Sequence, residues 1–373
     1  MGGGLRSFLE GVRVVDLSRH LPGPLATLLL ADMGAEIIKI EPPEGDEMRR
    51  VGSLGSTGRS LSFDALNANK TSRRIDLKSE TGKEELLQLT DSADIIVESF
   101  RPGVLNRLGV GFPVMRARNP QLICCAMSGF GQAGVMAQLP AHDINYLGLA
   151  GLLAYSGNAA GPAIPTPPLA DVIASFIGMA AILGALNKRG RDGFGCEIDL
   201  GVADCAMVPQ IMQLAELSGT GGPARGAEFN TGGSAYYNIY STGDGAMVAL
   251  GAIEHRFWAN FGRAAGRDDW VSRHGDALPQ TNLIAELSEY FAGMTAAEAS
   301  ERFASAECCF SPVLSLAEAT RTPHMSDRRL VVDGPDGSLQ ALFPVHIDGQ
   351  PPAPRKPFVD STADETVRNK SNI

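Results

Sequence analysis

The chain of 373 residues is longer than a typical single domain, so two domains are expected. An apolar content of 44% and a charged content of 20% are ordinary for a globular protein, and the formal net charge of −10 argues against nucleic acid or an anionic membrane as a partner. The sequence suggests no run approaching the roughly 20 apolar residues that span a bilayer, and no signal peptide or lipid anchor. We therefore expect a cytoplasmic protein without a membrane partner.

The first 130 residues alternate between strand and helix patterns. Short β-branched runs predict strands at 12–18, 35–41, 73–77, 93–99 and 121–129. The stretch 24–34 has proline early and glycine after its last turn, and the stretch 79–92 begins with serine, so both are predicted to be helices. This alternation predicts an α/β fold with a Rossmann-like parallel sheet covered by helices.

The rest of the chain suggests a second, smaller α+β unit. A long helix beginning near Asp171 is apolar on nearly all sides and is predicted to be buried. We expect a large domain over 1–216, completed by about 325–373, a glycine-rich linker over 217–235 and a small domain over 236–324. Within the small domain, "TGDG" predicts a hairpin turn. The proline-rich tail from 351 is expected to lie extended over the surface.

Two common chemistries are not supported by the sequence. The first strand–helix turn reads "DLSRHLPGP" and lacks G-x-G-x-x-G, so the backbone is not arranged to hold a dinucleotide pyrophosphate. The six cysteines include two adjacent pairs in apolar surroundings and form no C-x-x-C pattern, so we expect buried thiols and no metal site.

Four polar residues stand where helices begin or a strand ends. In "PAHDINYLG", Asp143 suits a helix N-cap, whereas His142 precedes that cap and is a candidate acid–base group. Asp171 fits either a helix cap or a catalytic carboxylate, and Glu254 in "GAIEH" fits either a surface charge or a functional acid. The residue types alone leave these alternatives open.

Several blocks in order resemble one enzyme family. They are "GVRVVDLSRHLPGPLATLLLADMGAEIIKIEPPEGDEMRR", "NANKTSRRIDLKSETGKEELLQL", "ADIIVESFRPGVLNRLGVGF", "SGFGQAG" and "PAHDINYLGLAG". Together they resemble the family III CoA-transferase (CaiB/BaiF) superfamily, and "AHDINY" and "ALGAIEHRFW" resemble its α-methylacyl-CoA racemase branch. The resemblance implies a large Rossmann-like domain built from both chain ends, a small domain, and a homodimer whose two chains interlock.

The resemblance also implies catalytic roles. In the racemase branch the histidine matching His142 is a base, the aspartate matching Asp171 is the catalytic carboxylate, and the glutamate matching Glu254 reaches the site from the small domain. The hydrogen α to a thioester carbonyl is a weak acid, so inversion needs one proton-transfer group on each face of that carbon. Histidine and carboxylate can both serve near neutral pH when their surroundings tune them.

The substrate's coenzyme A part needs cations and an aromatic ring. Arg101 and Arg107 can bind its phosphates through paired N–H groups, Lys70 offers a point charge, and Tyr146 lies one helical turn beyond His142. The family pattern supports these four as coenzyme A contacts, although Arg101 and Arg107 also fit ordinary surface ion pairs. Coenzyme A is expected to enter as the thioester substrate, and no separate cofactor is expected.

Two departures from the family pattern bear on specificity, and three functions remain. Asn238 stands where racemases tend to have an aspartate, and Pro42 and Pro43 replace basic residues after the second strand. The first hypothesis is a racemase or epimerase of 2-methylacyl-CoA thioesters. The second is a CoA-transferase in which Asp171 forms a mixed anhydride. The third is a protein that binds acyl-CoA without catalysis. The acyl chain and the pathway do not follow from the sequence.

Overall fold

A computed structural model describes residues 4–222 and 224–361. Within them the strands are β1 Arg13–Leu17, β2 Glu36–Glu41, β3 Lys70–Arg74, β4 Ile95–Glu98, β5 Ile123–Ser128, β6 Glu197–Gly201, β7 Tyr237–Ser241, β8 Met247–Gly251, β9 Phe310–Pro312, β10 Val331–Asp333, β11 Leu339–Ala341 and β12 Val359–Asp360. The α-helices are α1 Pro22–Asp32, α2 Leu61–Asn67, α3 Glu80–Asp91, α4 Val104–Leu108, α5 Phe112–Arg118, α6 Asp143–Leu149, α7 Leu152–Tyr155, α8 Leu169–Asp192, α9 Val202–Cys205, α10 Ile211–Thr220, α11 His255–Ala265, α12 Asp268–Val271, α13 Thr281–Ala292, α14 Ala296–Phe303, α15 Leu316–Ala319 and α16 Pro323–Asp327.

A parallel sheet organises the first unit of the chain. Its order is β12-β3-β2-β1-β4-β5-β6, and every neighbouring pair is parallel. The neighbouring strands β1, β4 and β5 are almost wholly buried and rich in β-branched or small apolar residues, as expected for a sheet covered on both faces. The predicted α/β fold with a Rossmann-like sheet is therefore confirmed.

Helices cover this sheet on both faces. One buried cluster joins alternate strand residues, among them Val15, Ile38 and Ile96, to leucines of α3 and to Met115 of α5. On the strands' other side, α1 packs on α8 and on β1, β2 and β4, while α8 also packs on β5 and β6. The prediction of buried thiols is confirmed for Cys124 and Cys125 of β5 and for Cys205 and Cys308, but it is wrong for Cys309, which is exposed, and Cys196 is only half-buried.

The third strand lies three residues earlier than the sequence predicts. It spans Lys70–Arg74 rather than 73–77, and it places Lys70 and Ser72 in the interior. A buried lysine at a strand start resembles a loop residue in the sequence, because charged side chains are almost never buried unless they are paired. The displacement matters for function, since Lys70 is a predicted coenzyme A contact.

The chain forms two compact units. The first comprises 1–150, 166–209 and 322–373, and the second comprises 151–165 and 210–321, each as far as the chain is described. Residues 151–165, which we predicted to lie in the large domain, thus group with the second unit. The predicted linker 217–235 contains the end of α10 and a tight turn over Phe229–Gly233, so it is not a plain connector.

The second unit combines a small sheet with helices. Strands β7, β8 and β9 pair antiparallel, and the first two form the predicted hairpin, with Tyr237 opposite Gly251. Its core is aromatic: Trp258 and Phe261 of α11 pack with Trp270 and Phe291, all fully buried. This is the predicted smaller α+β unit.

Helix α8 differs from the sequence prediction in two respects. Its mean hydropathy reaches 2.1 over an 18-residue window, so within the described residues one helix is long and apolar enough to cross a membrane, contrary to our expectation of none. Only 33% of that window is buried, and Phe176 is 48% exposed, so the helix is not buried on all sides. Its contacts with α1, β5 and β6 are nevertheless those of a helix that belongs to a folded core.

Candidate active site

The order of the parallel strands locates a crevice. The chain proceeds from β1 outward through β2 and β3, then crosses to β4 on the other side of β1. In open α/β sheets, ligands bind outside the carboxyl ends of the strands at such a switch point. The two loops that meet there are tied together, because the backbone N–H of Arg19 donates to the Ser99 hydroxyl at 2.9 Å and the Arg19 guanidinium lies 5.7 Å from the Phe100 ring centre.

The two predicted arginines follow β4 at this edge of the sheet. Arg101 and Arg107 are both exposed, and neither forms an ion pair within the described part of the chain. Gly103 adopts a φ of +82° at the start of α4, and a side chain there would meet the Arg107 guanidinium at 3.0 Å. Unpaired guanidinium groups beside the switch point can bind an anion such as a phosphate.

A cavity of about 580 Å³ adjoins Arg101. Its lining includes Glu98, Gln132, Gln138 and Asp199. Glu98 is 5% exposed, and burial raises its pKa to about 7 despite the hydrogen bond that its carboxylate accepts from the Phe100 N–H. Sequence reasoning missed Glu98. Its place at the end of an apolar strand, two residues before Phe100, was the available signal.

Lys70 occupies a different environment from the one predicted. Its ammonium group is fully buried and donates to Asp16 Oδ2 at 3.2 Å, to the Thr27 hydroxyl at 2.8 Å and to two oxygens of Pro24 and Asn67. Burial, with the nearby Lys39, lowers the pKa of Lys70 to about 8 against the pull of Asp16. The amine is thus an internal counter-ion in this structure, and its predicted contact with a phosphate remains a prediction that this burial does not favour.

The loop before α6 presents His142 to solvent. His142 is the N-cap of α6 with extended backbone angles, and Asp143 is the first helical residue, so the N-cap that we predicted for Asp143 belongs to His142. The Asn145 side chain accepts from the His142 backbone N–H at 3.1 Å. The imidazole is therefore carried on a fixed backbone while its ring stays exposed.

Tyr146 packs beneath the loop that carries His142 and is bonded to it. It is 8% exposed, its hydroxyl donates to the Ala141 carbonyl at 2.9 Å, and its ring packs edge-on against Phe130 at 5.3 Å. A side chain at Gly129 would lie 2.5 Å from the Tyr146 hydroxyl, so glycine there lets the 128–131 loop approach. In this structure the tyrosine holds the turn that precedes His142, and its predicted contact with coenzyme A remains a prediction.

Asp171 lies beside the start of α6. It is the third residue of α8, whose N-cap is Pro168, so it does not cap its own helix. Its backbone N–H donates to Asp143 Oδ1 at 3.1 Å. Burial, followed by the Asp143 charge, raises the pKa of Asp171 from 3.8 to about 6. The structure thereby brings together the backbones that carry His142 and Asp171, and it gives Asp171 a pKa suited to proton transfer near neutrality.

Glu254 belongs to the second unit. It is the N-cap of α11, it makes no side-chain cap bond, and its carboxylate is exposed. His255 and His274 follow within the same unit, with ring centres 5.6 Å apart, and His274 Nε2 lies 2.9 Å from the Ile253 carbonyl oxygen.

The departure at Asn238 has a structural use, whereas nothing in the structure explains proline at position 43. The Asn238 amide donates to the carbonyls of Gly232 and Ser234, two bonds that an ionised aspartate could not donate. The Pro43 carbonyl accepts from the Arg74 guanidinium at 2.8 Å.

Comparisons with known proteins agree with this fold and sequence. The model of CoA-transferase family III matches residues 9–358. The chain is 32% identical to alpha-methylacyl-CoA racemase of Mus musculus over 96% of this chain and 92% of that protein. It is 31% identical to acetyl-CoA:oxalate CoA-transferase of Acetobacter aceti over 91% and 89% of the two chains. A crystal structure of a CaiB/BaiF family protein from Brucella suis superposes with a TM-score of 0.84 at 26% identity, covering 97% and 98% of the chains. The chain therefore belongs to CoA-transferase family III, the CaiB/BaiF family.

Proposed function

We propose that this protein is a racemase or epimerase that inverts the α-carbon of 2-methylacyl-CoA thioesters. The observation that carries the proposal is the placement of His142 and Asp171 at the starts of two helices, tied by the bond from the Asp171 N–H to Asp143. The similarity to the mouse racemase over nearly the whole chain supports the same reaction class.

The proposed reaction moves one proton off the α-carbon and one onto it. With one epimer, the ionised Asp171 takes the α-proton, the C–H electron pair moves into the thioester as an enolate, and protonated His142 returns a proton to the opposite face. With the other epimer the two residues exchange roles. A carboxyl whose pKa is about 6 is mostly ionised at neutral pH yet basic enough to act. Glu254 is proposed to orient or tune one of the two groups by a hydrogen bond.

Coenzyme A is proposed to bind at the switch point as part of the substrate. The exposed guanidinium groups of Arg101 and Arg107 would hold its phosphates, and their positive charge would counter the repulsion between those phosphates and the carboxylates that line the adjoining cavity. Lys70 is left out of this set because its amine is buried among internal partners.

A CoA-transferase is the second candidate, favoured by the family model and by the similarity to the Acetobacter aceti transferase. Here an Asp171 oxygen would attack the thioester carbonyl and the C–S bond would break, so that coenzyme A leaves as a thiolate and the acyl group stays on Asp171 as a mixed anhydride. This path uses the same carboxylate but makes no demand on His142. A protein that binds acyl-CoA without catalysis ranks third.

Two variants separate these candidates. A two-base racemase with His142→Ala should still exchange the α-hydrogen of the epimer that Asp171 deprotonates, but it should not invert that carbon, whereas Asp171→Asn should fail with the same epimer. Proton NMR in heavy water measures exchange, and chiral chromatography measures inversion. Normal inversion by His142→Ala would contradict the proposal. Hydroxylamine trapping of an acyl group on Asp171 would establish the transferase instead.

Assembly is proposed from the resemblance and from exposed apolar surface. The family implies an interlocked homodimer, and α10 exposes Ile211, Met212, Leu214 and Leu217 to the extent of 69%, 62%, 45% and 54%. A second chain covering such residues would remove them from water.

A further inference from the structure

The first turn of α8 takes its cap from another helix. Pro168, the N-cap, has no side-chain oxygen, and it forms no side-chain cap bond. The Asp171 N–H is satisfied by Asp143 Oδ1 at 3.1 Å, from a residue 28 positions earlier in the chain. Helix N-termini leave such N–H groups without intrahelical partners, so Asp143 supplies across two helices what a cap residue supplies within one.

We propose that Asp143 is a positioning residue whose carboxylate fixes the backbone at Asp171 and holds a second negative charge beside the Asp171 carboxyl. This inference deepens the proposed racemase function and rests on it. Asp143 acts through Asp171 and is not assigned a contact with the substrate.

Asp143 is itself held in place by the start of α6. The Asn145 side chain accepts from the His142 N–H, and the Tyr146 hydroxyl donates to the Ala141 carbonyl. The turn that carries Asp143 is therefore fixed on both sides by hydrogen bonds. Helices α6 and α8 also pack against each other. A carboxylate on a turn of this kind can set the position of a neighbouring backbone group.

The charge of Asp143 acts on Asp171 more directly than any other ionisable group. The ionisable residues on the elements packed against α8, besides those of α6, are Asp32 of α1, Cys124 and Cys125 of β5, Glu197 and Asp199 of β6, and Asp204 and Cys205 of α9. Within the described residues, burial and Asp143 are what raise the pKa of Asp171. Burial, followed by the charges of Asp171 and Asp143, also raises the pKa of Tyr146. Two carboxylates this close resist ionising together, which keeps Asp171 more basic.

Asparagine separates the two effects of Asp143. Asp143→Asn keeps an oxygen that can accept from the Asp171 N–H but removes the charge, whereas Asp143→Ala removes both. If Asp143 acts by capping the Asp171 N–H, Asp143→Asn should retain the turnover that Asp143→Ala loses. If Asp143 also acts through its charge, Asp143→Asn should still lower the pKa of Asp171.

The test is a carbon NMR titration of the full-length protein labelled at its aspartate carboxyl carbons, with Asp171→Asn to assign the signal. In Asp143→Asn the Asp171 acid constant should rise by about three- to tenfold, the usual effect of removing one neighbouring charge. In the pH profile of the α-hydrogen exchange rate, the midpoint of the acid limb should shift to lower pH by the corresponding amount, about half a unit to one unit. Asp192→Asn, at the exposed far end of α8, is the matched control and should leave both unchanged.

An unchanged Asp171 titration in Asp143→Asn would overturn the inference, as would equal turnover in the Asn and Ala variants. Because the titration is recorded without substrate, it decides the inference even if Asp143→Ala fails to fold. A wild-type protein that exchanges no α-hydrogen, but whose Asp171 responds to Asp143→Asn, would contradict the proposed function alone.

Discussion

Replacing Asp171 with Asn is expected to stabilise the folded protein at neutral pH while it removes most of the activity. Burial, and then the Asp143 charge, raise the pKa of Asp171 from 3.8 to about 6. A tenfold change in an acid constant corresponds to about 1.4 kcal/mol, so keeping this carboxyl ionised costs the folded state roughly 3 kcal/mol. Asparagine has nearly the same shape and no charge, so the variant should gain up to this amount in free energy of unfolding.

The gain in free energy of unfolding from Asp171→Asn should grow as the pH rises. Below pH 3.8 both the folded and the unfolded states hold the proton, so Asn brings no advantage. Between 3.8 and about 6 the unfolded chain has lost a proton that the folded state keeps, and the wild-type penalty grows with pH. Above about pH 6 the penalty is complete, and the gain reaches its plateau.

Urea unfolding at fixed protein concentration, repeated between about pH 4 and pH 8, measures this gain. Asp192→Asn is the control, because its exposed carboxylate pairs with Lys188 at 2.6 Å and should confer no stabilisation on removal. With the epimer that Asp171 deprotonates, the rate of α-hydrogen exchange in Asp171→Asn should fall by roughly a hundredfold or more. A variant less stable than wild type at pH 7, or a gain that does not change with pH, would refute the reasoning.

Three further predictions concern other parts of the chain. Lys70→Met should lower the free energy of unfolding by about 3 kcal/mol, because it leaves the buried Asp16 without its counter-ion; a stable variant with a raised KM would instead restore Lys70 as a substrate contact. Arg101→Ala and Arg107→Ala should each raise the KM for acyl-CoA by about tenfold with little change in stability or in kcat, the worth of one charge-assisted phosphate contact; equal effects on an acyl-pantetheine thioester, which has no phosphate, would contradict this. Dilution followed by sedimentation should show an obligate dimer, and a folded, active monomer would contradict the interlocked assembly.

Local patterns in the sequence predicted much of the fold. The apolar runs that became β1, β2, β4 and β5 lie within a residue or two of their predicted bounds. Ser79 caps α3 as expected, since its hydroxyl accepts from the Gly82 N–H at 3.0 Å. The hairpin of β7 and β8 forms at the predicted turn. In each case the deciding interaction lies within a few residues along the chain.

Long-range contacts explain what the sequence did not predict. The start of β3 depends on an ion pair between Lys70 and Asp16, 54 residues apart, which no local pattern contains. The Asp143 bond to Asp171 spans two helices, so sequence reasoning placed Asp143 as a cap of its own helix. The His142 and Asp171 candidates came from the family resemblance, and the structure added the pKa of Asp171 and its cause.

One incubation tests the racemase proposal most directly. A single epimer of a 2-methylacyl-CoA is mixed in heavy water with wild-type protein and a free carboxylic acid acceptor, and deuterium at the α-carbon, inversion of that carbon and transfer of coenzyme A are followed together. The proposal predicts inversion with one deuterium gained at the α-carbon, and it predicts that no coenzyme A thioester of the acceptor acid forms. Transfer of coenzyme A to the acceptor, with the α-hydrogen retained and the configuration unchanged, would contradict it.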